Sequence, residues 1–148
     1  MDLRKARIIT AMTTTFNEKG LVDYEQIEKL INFLLENGTE GLVVGGTTGE
    51  SPTLAHEEKI ALYRKTVELT AGRVPIIAGT GSFNTAETIA FTKEVEAISG
   101  IDAALVVVPY YSKPNQAGIY AHFEAVAAST TLPIIIYNVP GRTSVSID

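Results

Sequence analysis

The 148-residue sequence contains no cysteine. That absence excludes disulfide bonds and thiolate catalysis, and it is typical of proteins from a reducing compartment. Basic residues are few, since 12 Lys and Arg stand against 17 Asp and Glu, and no basic stripe is present to bind a nucleic-acid backbone. No apolar run approaches the ~20 residues of a membrane span, and residues 1–5 lack the apolar core of a signal peptide. We therefore expect a soluble, cytoplasmic protein with neither nucleic acid nor a membrane as partner.

Five apolar runs alternate with helix-like segments along the chain. The runs are almost continuous in Val, Ile, Leu and Ala, which is typical of parallel strands covered on both faces. They span residues 8–12, 41–44, 74–78, 103–108 and 133–137. Helices are predicted over residues 23–36, 55–70, 84–100 and 116–129, with Asp23 and Asn84 as N-caps and Gly38 and Gly72 as C-terminal breakers. The β-α-β-α-β-α-β-α-β order predicts a parallel sheet, either open and doubly wound or part of a closed barrel.

Hydroxyl groups are concentrated where the predicted strands end, which is where α/β sheets and barrels bind ligands. The second strand runs into Gly45-Gly46-Thr47-Thr48-Gly49-Glu50-Ser51. Glycines let backbone N–H groups approach a ligand and threonines add hydroxyl donors, so this turn suits a carboxylate or carbonyl group. Tyr110 and Tyr111 follow the fourth strand, and Tyr137 ends the fifth. The spacing of His and acidic residues is unlike that of metal ligands, so we expect no metal.

Each of these residues also has a purely structural interpretation. Thr47 and Thr48 can cap the turn into the next helix, the tyrosine pair can be packing residues, and Arg142 can be a surface charge. His56 and His122 lie on predicted helices and are best explained as solvated or packed. The coincidence of unusual hydroxyl groups at several strand ends favours a binding site over these alternatives.

Four motifs together resemble the dihydrodipicolinate synthase family, within the pyruvate-dependent class I aldolases that also include N-acetylneuraminate lyase. They are GTTGES at 46–51, IAGTG at 77–81, PYYSKP at 109–114 and YNVPGRT at 137–143. Thr47 and Arg142 favour this family over the sialic acid branch. The resemblance covers the whole chain and implies a (βα)8 TIM barrel. Residues 1–148 would be the N-terminal (βα)4-β portion of that single domain, ending before strand six.

The resemblance implies condensation of pyruvate with aspartate 4-semialdehyde through a lysine Schiff base, with no cofactor and no metal. Tyr137 would shuttle protons in a relay with Thr47 and Tyr111, because a phenol with a pKa near 10 is a poor base without neighbours that pass protons. Tyr111 would complete the site of a neighbouring subunit in a homo-oligomer, a dimer of dimers. Thr48, with Thr47, would hold the pyruvate carboxylate, and Arg142 would bind the semialdehyde carboxylate.

The Schiff-base lysine of the family is expected at the end of strand six, beyond residue 148. Lys113 follows a strand end, but an exposed lysine forms imines poorly. We therefore expect the 148-residue chain alone to be inactive. Two alternatives stay open: another pyruvate-dependent aldolase such as N-acetylneuraminate lyase, or a non-catalytic half-barrel that associates with itself through its two unpaired sheet edges.

Positions matching the family's lysine-feedback site form a second group. They are Ser51, His56, Lys59, Phe83, Glu87 and Tyr110. By resemblance, lysine-inhibited members tend to carry His and Asn where Lys59 and Phe83 stand here. A cation at position 59 repels the ammonium groups of lysine, so we expect weak or absent lysine inhibition.

Overall fold

Five strands alternate with helices in the computed structural model, which describes residues 3–148. The strands are β1 (Ile9–Ala11), β2 (Gly41–Val44), β3 (Ile76–Gly79), β4 (Ala103–Val107) and β5 (Ile134–Tyr137). The helices are α1 (Tyr24–Glu36), α2 (His56–Thr70), α3 (Thr85–Glu96), α4 (Gln116–Ala127) and the short α5 (Pro140–Thr143), and 3-10 turns cover Leu3–Lys5 and Ser51–Thr53. The predicted alternation of strands and helices is confirmed.

The chain divides into two compact units. The first runs to Ala78 and also contains Ile98–Asp102, and the second comprises Gly79–Ala97 and Ala103–Asp148. In the first unit β2 pairs in parallel with both β1 and β3, with Leu42 opposite Ile76. The buried strands β2 and β3 contact protein on both faces, which explains their continuous apolar sequences.

The helices of the first unit begin and end where the sequence predicts. The Asp23 carboxylate accepts a hydrogen bond from the Gln26 amide at 3.1 Å and caps α1, and Ile27 and Ile31 are fully buried. Helix α2 ends at Thr70 and is followed by Ala71 and Gly72, which both have positive φ. The Arg73 guanidinium then donates to the carbonyls of Leu69 and Thr70 at 2.8 and 3.0 Å. These last carbonyls of the helix are thereby satisfied, and α1 packs against α2.

The second unit is built on the parallel pair β4 and β5, in register from Ala104 opposite Ile134 to Val107 opposite Tyr137. Helix α3 begins at Asn84, whose side chain accepts from the amides of the next helical residues, as the sequence predicts. Helices α3 and α4 pack together. The buried apolar core of this unit consists of Ala104, Val106, Val108, Ile119, Phe123 and Val126.

The end of α3 and the presence of α5 are the largest differences from the sequence prediction. Helix α3 ends at Glu96 and does not continue to Gly100, because residues 98–102 belong to the first unit. There Gly100 has a φ of +107°, and a Cβ at this position would lie 2.5 Å from a methyl carbon of Val67. Helix α5 was missed because four residues are too short for a helical repeat. No helix among residues 3–148 is long and apolar enough to span a bilayer.

Candidate active site

The turn after β2 is held from inside the first unit. Gly45 has a φ of +64°, and a Cβ there would lie 2.1 Å from the Tyr63 Oη. Glycine is therefore required both by the backbone angle and by the neighbouring ring. The Thr14 Oγ1 is buried and donates to the Gly49 carbonyl at 2.6 Å. The turn is thus tied to the core at two separate points.

Tyr63 is the support of this turn that the sequence did not reveal. It lies in α2 and is fully buried. Its phenol forms a hydrogen bond with the Ser51 side chain, and burial raises the pKa of Tyr63 far above that of a free phenol. A neutral Tyr63 therefore contacts Gly45 at one end of the turn and Ser51 at the other.

Thr47 and Thr48 lie in the middle of this turn. Thr47 is half-buried and Thr48 is exposed. Neither caps α2, whose N-cap is Ala55 with the Glu58 carboxylate accepting from the Ala55 amide at 2.8 Å. The helix-capping alternative for these threonines is therefore wrong. The Thr47 carbonyl closes the turn by accepting from the Glu50 amide at 3.1 Å.

The turn after β4 is strained and lies at the surface of the second unit. The Ser112 amide donates to the Tyr110 carbonyl at 2.7 Å, and Tyr111 between them has a φ of +67°. This is a γ-turn with positive φ, a rare and strained conformation. The Tyr111 side chain is 89% exposed, and Lys113 also has a positive φ of +47°. Strain of this kind tends to occur at functional sites.

The carboxyl end of β5 lies beside that of β4. Tyr137 is the last residue of β5, is half-buried, and accepts through its carbonyl from the Val108 amide at 3.0 Å. Asn138 hydrogen-bonds through its side chain to Ser146 at 3.3 Å. Arg142 follows in α5 and is exposed. The second unit thus brings the tyrosines of both strand ends to the same edge of its strand pair.

The residues of the expected effector site are divided between the two units. In the first unit, Ser51 lies in the 3-10 turn, His56 opens α2 and Lys59 follows one turn later. Burial lowers the pKa of the Lys59 amine. In the second unit, the rings of Phe83 and Tyr110 meet edge to face with centroids 5.3 Å apart. Glu87 is exposed in the first turn of α3. A negative side chain at this end of a helix interacts favourably with the helix dipole.

The two histidines behave as the sequence predicts. His56 is exposed, while His122 is buried in α4, with its Nδ1 2.9 Å from the Thr85 Oγ1. The Nε2 of His122 has no hydrogen-bond partner among the described residues, and burial lowers the pKa of its imidazole. Within residues 3–148, His, Cys, Asp and Glu form no group of three or more that could hold a metal ion.

Sequence comparison places the chain among known proteins. Residues 4–148 match the Dihydrodipicolinate synthetase family. A 4-hydroxy-tetrahydrodipicolinate synthase of Listeria innocua is 60% identical over an alignment of 149 positions, which covers 100% of this chain and 50% of the relative. The chain therefore spans about half the length of the curated relatives it matches.

Solved structures extend the same result to the fold. Dihydrodipicolinate synthase DapA-2 of Bacillus anthracis superposes with a TM-score of 0.94 at 54% identity, covering 97% of this chain and 49% of that one. The enzyme of Acinetobacter baumannii, solved in complex with pyruvate, gives 0.93 at 45% identity and covers 95% and 48%. These matches confirm the expected fold class, the N-terminal (βα)4-β portion of a TIM barrel. The chain belongs to the dihydrodipicolinate synthetase family.

Proposed function

We propose that this chain is the N-terminal half of a cytoplasmic 4-hydroxy-tetrahydrodipicolinate synthase, one part of a single barrel domain. The complete enzyme would condense pyruvate with aspartate 4-semialdehyde in the diaminopimelate pathway to lysine. The observation that carries this proposal is the 60% identity over the whole chain to an enzyme of that name. The polar strand ends supply side chains suited to each step.

The turn after β2 would bind pyruvate. Its glycines would let backbone N–H groups approach a ligand, and the Thr47 and Thr48 hydroxyls, which do not cap α2, would add donors for the carboxylate. The A. baumannii relative was solved with pyruvate bound, which supports a keto acid as the ligand. Since Tyr63 and Thr14 hold the turn from the core, its donors would need little reorganisation on binding.

A lysine amine from polypeptide beyond residue 148 would form the Schiff base, with the pyruvate carbonyl oxygen leaving as water. The protonated imine then accepts the electron pair released when a methyl proton leaves, and the resulting enamine attacks the aldehyde carbon. Tyr137 would move the protons, in a relay with Thr47 and Tyr111. Arg142, exposed on α5, would bind the semialdehyde carboxylate through its fork of donors.

Tyr111 supports a homo-oligomeric enzyme. Its side chain is 89% exposed on a strained turn, so its ring projects away from its own unit. An exposed phenol of this kind is well placed to complete the relay of a neighbouring subunit, as expected for a dimer of dimers.

Borohydride trapping with pyruvate tests the proposal. Borohydride reduces the reversible imine to a stable secondary amine. The complete protein should therefore gain the mass of one reduced pyruvate adduct on a lysine. The 148-residue chain, whose Lys113 is exposed, should gain none. An adduct on the short chain would refute the assignment of the Schiff-base lysine to the missing half. A complete protein that cleaves N-acetylneuraminate but does not condense aspartate 4-semialdehyde would overturn the substrate assignment.

We also propose that lysine inhibits the complete enzyme weakly or not at all. Lys59 places a cation where the effector's ammonium groups would bind, and the Phe83 ring packs against Tyr110 in place of an amide donor. Assays with sub-millimolar lysine should leave the rate unchanged, and the Lys59→His, Phe83→Asn double variant should gain sensitivity. Strong inhibition of the unmodified enzyme would contradict this proposal.

A further inference from the structure

The turn that carries Tyr111 needs an anchor, because its backbone is not in a relaxed conformation. Tyr111 and Lys113 both have positive φ, and a hydrogen bond of 2.7 Å from the Ser112 amide to the Tyr110 carbonyl closes the γ-turn. A non-glycine residue leaves such a conformation unless its surroundings hold it. Tyr111 is 89% exposed on its own chain, so within this chain the turn must be held through the residues beside Tyr111.

Phe83 contacts Tyr110, the residue that precedes Tyr111. Its ring meets that of Tyr110 edge to face, with centroids 5.3 Å apart and planes at 83°. This is a favourable geometry for two aromatic quadrupoles. Phe83 is itself 50% exposed, so filling the core does not explain a phenylalanine at this position.

The backbone on both sides of Phe83 is firmly held. The Ser82 amide donates to the Thr88 Oγ1 at 3.0 Å, and the Asn84 amide donates to the Ser82 Oγ at 3.0 Å. Asn84 also caps α3 by accepting from the Ala86 amide at 3.0 Å. Phe83 therefore lies at the hydrogen-bonded start of α3, and its ring contacts Tyr110, the residue that begins the strained turn.

We propose that Phe83 is a positioning residue that holds Tyr110 and thereby sets the direction in which Tyr111 leaves the second unit. This inference rests on the proposed function, in which the Tyr111 phenol passes protons. Loss of the Phe83 ring lets the γ-turn relax and moves that phenol away from its partner. Phe83 itself touches no substrate, so its effect on the rate passes through Tyr111.

A double-mutant cycle in the complete protein tests this route. Phe83→Ala should lower kcat about 2- to 10-fold with the KM for pyruvate unchanged, while Phe83→Tyr, which keeps a ring, should retain the wild-type rate. In a Tyr111→Phe background, Phe83→Ala should cause no further loss, because the group it positions is gone. Phe33→Ala is the matched control, since Phe33 is 58% exposed on α1, and it should leave kcat unchanged.

Hydrogen exchange gives a readout that is independent of activity. Phe83→Ala should speed exchange at the Ser112 amide and leave the amides of α3 unchanged, and Phe83→Tyr should restore slow exchange. Equal rates in Phe83→Ala and wild type, or the same loss with and without the Tyr111 hydroxyl, would overturn the inference. A wild-type protein without synthase activity would instead overturn the proposed function, and exchange at Ser112 would still decide whether Phe83 holds the turn.

Discussion

The turn after β2 and the turn after β4 both carry residues of the candidate site, but they are held in opposite ways. The first packs Gly45 against the fully buried Tyr63 and ties Gly49 to Thr14. The second leaves Tyr111 almost fully exposed in a strained γ-turn, with the Phe83–Tyr110 ring contact beside it. One turn is an extension of its core, and the other lies on its surface.

The contrast separates two kinds of candidate site residue. Where a turn packs against the core, the contacts that stabilise the fold also position its hydrogen-bond donors. Substitutions in such a turn should therefore first lower the stability of the protein. Where a turn is strained and exposed, little folding free energy depends on it. Changes there should appear first as lost alignment of the Tyr111 phenol.

Gly45→Ala should have the largest effect on stability and is the strongest way to break this comparison. The added methyl group meets the Tyr63 ring and the residue is forced to keep a positive φ, so we expect a loss of about 2–5 kcal/mol in the free energy of unfolding. Urea denaturation of the complete protein measures it. Gly72→Ala is the control, because its φ of +70° is similar but, apart from Gly72 itself and its two chain neighbours, no described residue has an atom within 4 Å of the new Cβ. Equal losses in the two variants would show that Tyr63 does not hold the turn.

Thr14→Val should have the next largest effect. The change keeps the shape of the side chain but removes the hydroxyl that donates to the Gly49 carbonyl at 2.6 Å, and we expect a loss of about 1–3 kcal/mol. Thr48→Val in the same turn removes an exposed hydroxyl and should change stability by at most about 0.5 kcal/mol. The same urea titrations compare them. A Thr48→Val loss as large as that of Thr14→Val would mean that the turn is not anchored from the core.

A pH titration should have the smallest effect and sharpens the comparison between the two units. Burial raises the pKa of Tyr63 and keeps it neutral, whereas burial lowers the pKa of His122. Unfolded His122 therefore binds a proton at a higher pH than the folded form. Stability is retained above the ordinary His pKa of about 6.5 and falls as the pH drops below it.

Hydrogen exchange at about pH 7.5 and at about pH 5 measures this loss by region, the window being set by the ordinary histidine pKa. Exchange should accelerate on α3 and α4, which His122 joins through Thr85, before it does on α1 and α2. His122→Gln should reduce the difference between the two pH values, whereas His56→Gln, at an exposed histidine, should leave it unchanged. Acceleration spread evenly over both units would refute a local effect of His122.

Much of the fold is predictable because its signals are local. Asp23 and Asn84 cap helices through bonds to amides two or three residues away, and continuous apolar runs form the strands. The end of α3 was not predictable, since it depends on Gly100 packing against Val67, 33 positions earlier in the chain. A helical pattern contains no information about that contact.

The candidate site shows the same division. The residues at the strand ends follow from the order of strands alone, because within each unit parallel strands bring their carboxyl ends to the same edge. The supports of those residues do not follow from it. Tyr63 lies 18 positions from Gly45, and Phe83 lies 27 positions from Tyr110, and each pair meets only in the folded chain.

The sequence by itself determined the alternation of strands and helices and the chemical groups at the strand ends, because apolar periodicity, caps and glycines act over a few residues. Tertiary structure alone decided which of those groups are held by the core and which are strained at the surface. Packing between distant segments sets the space around a side chain, and no local pattern records that space.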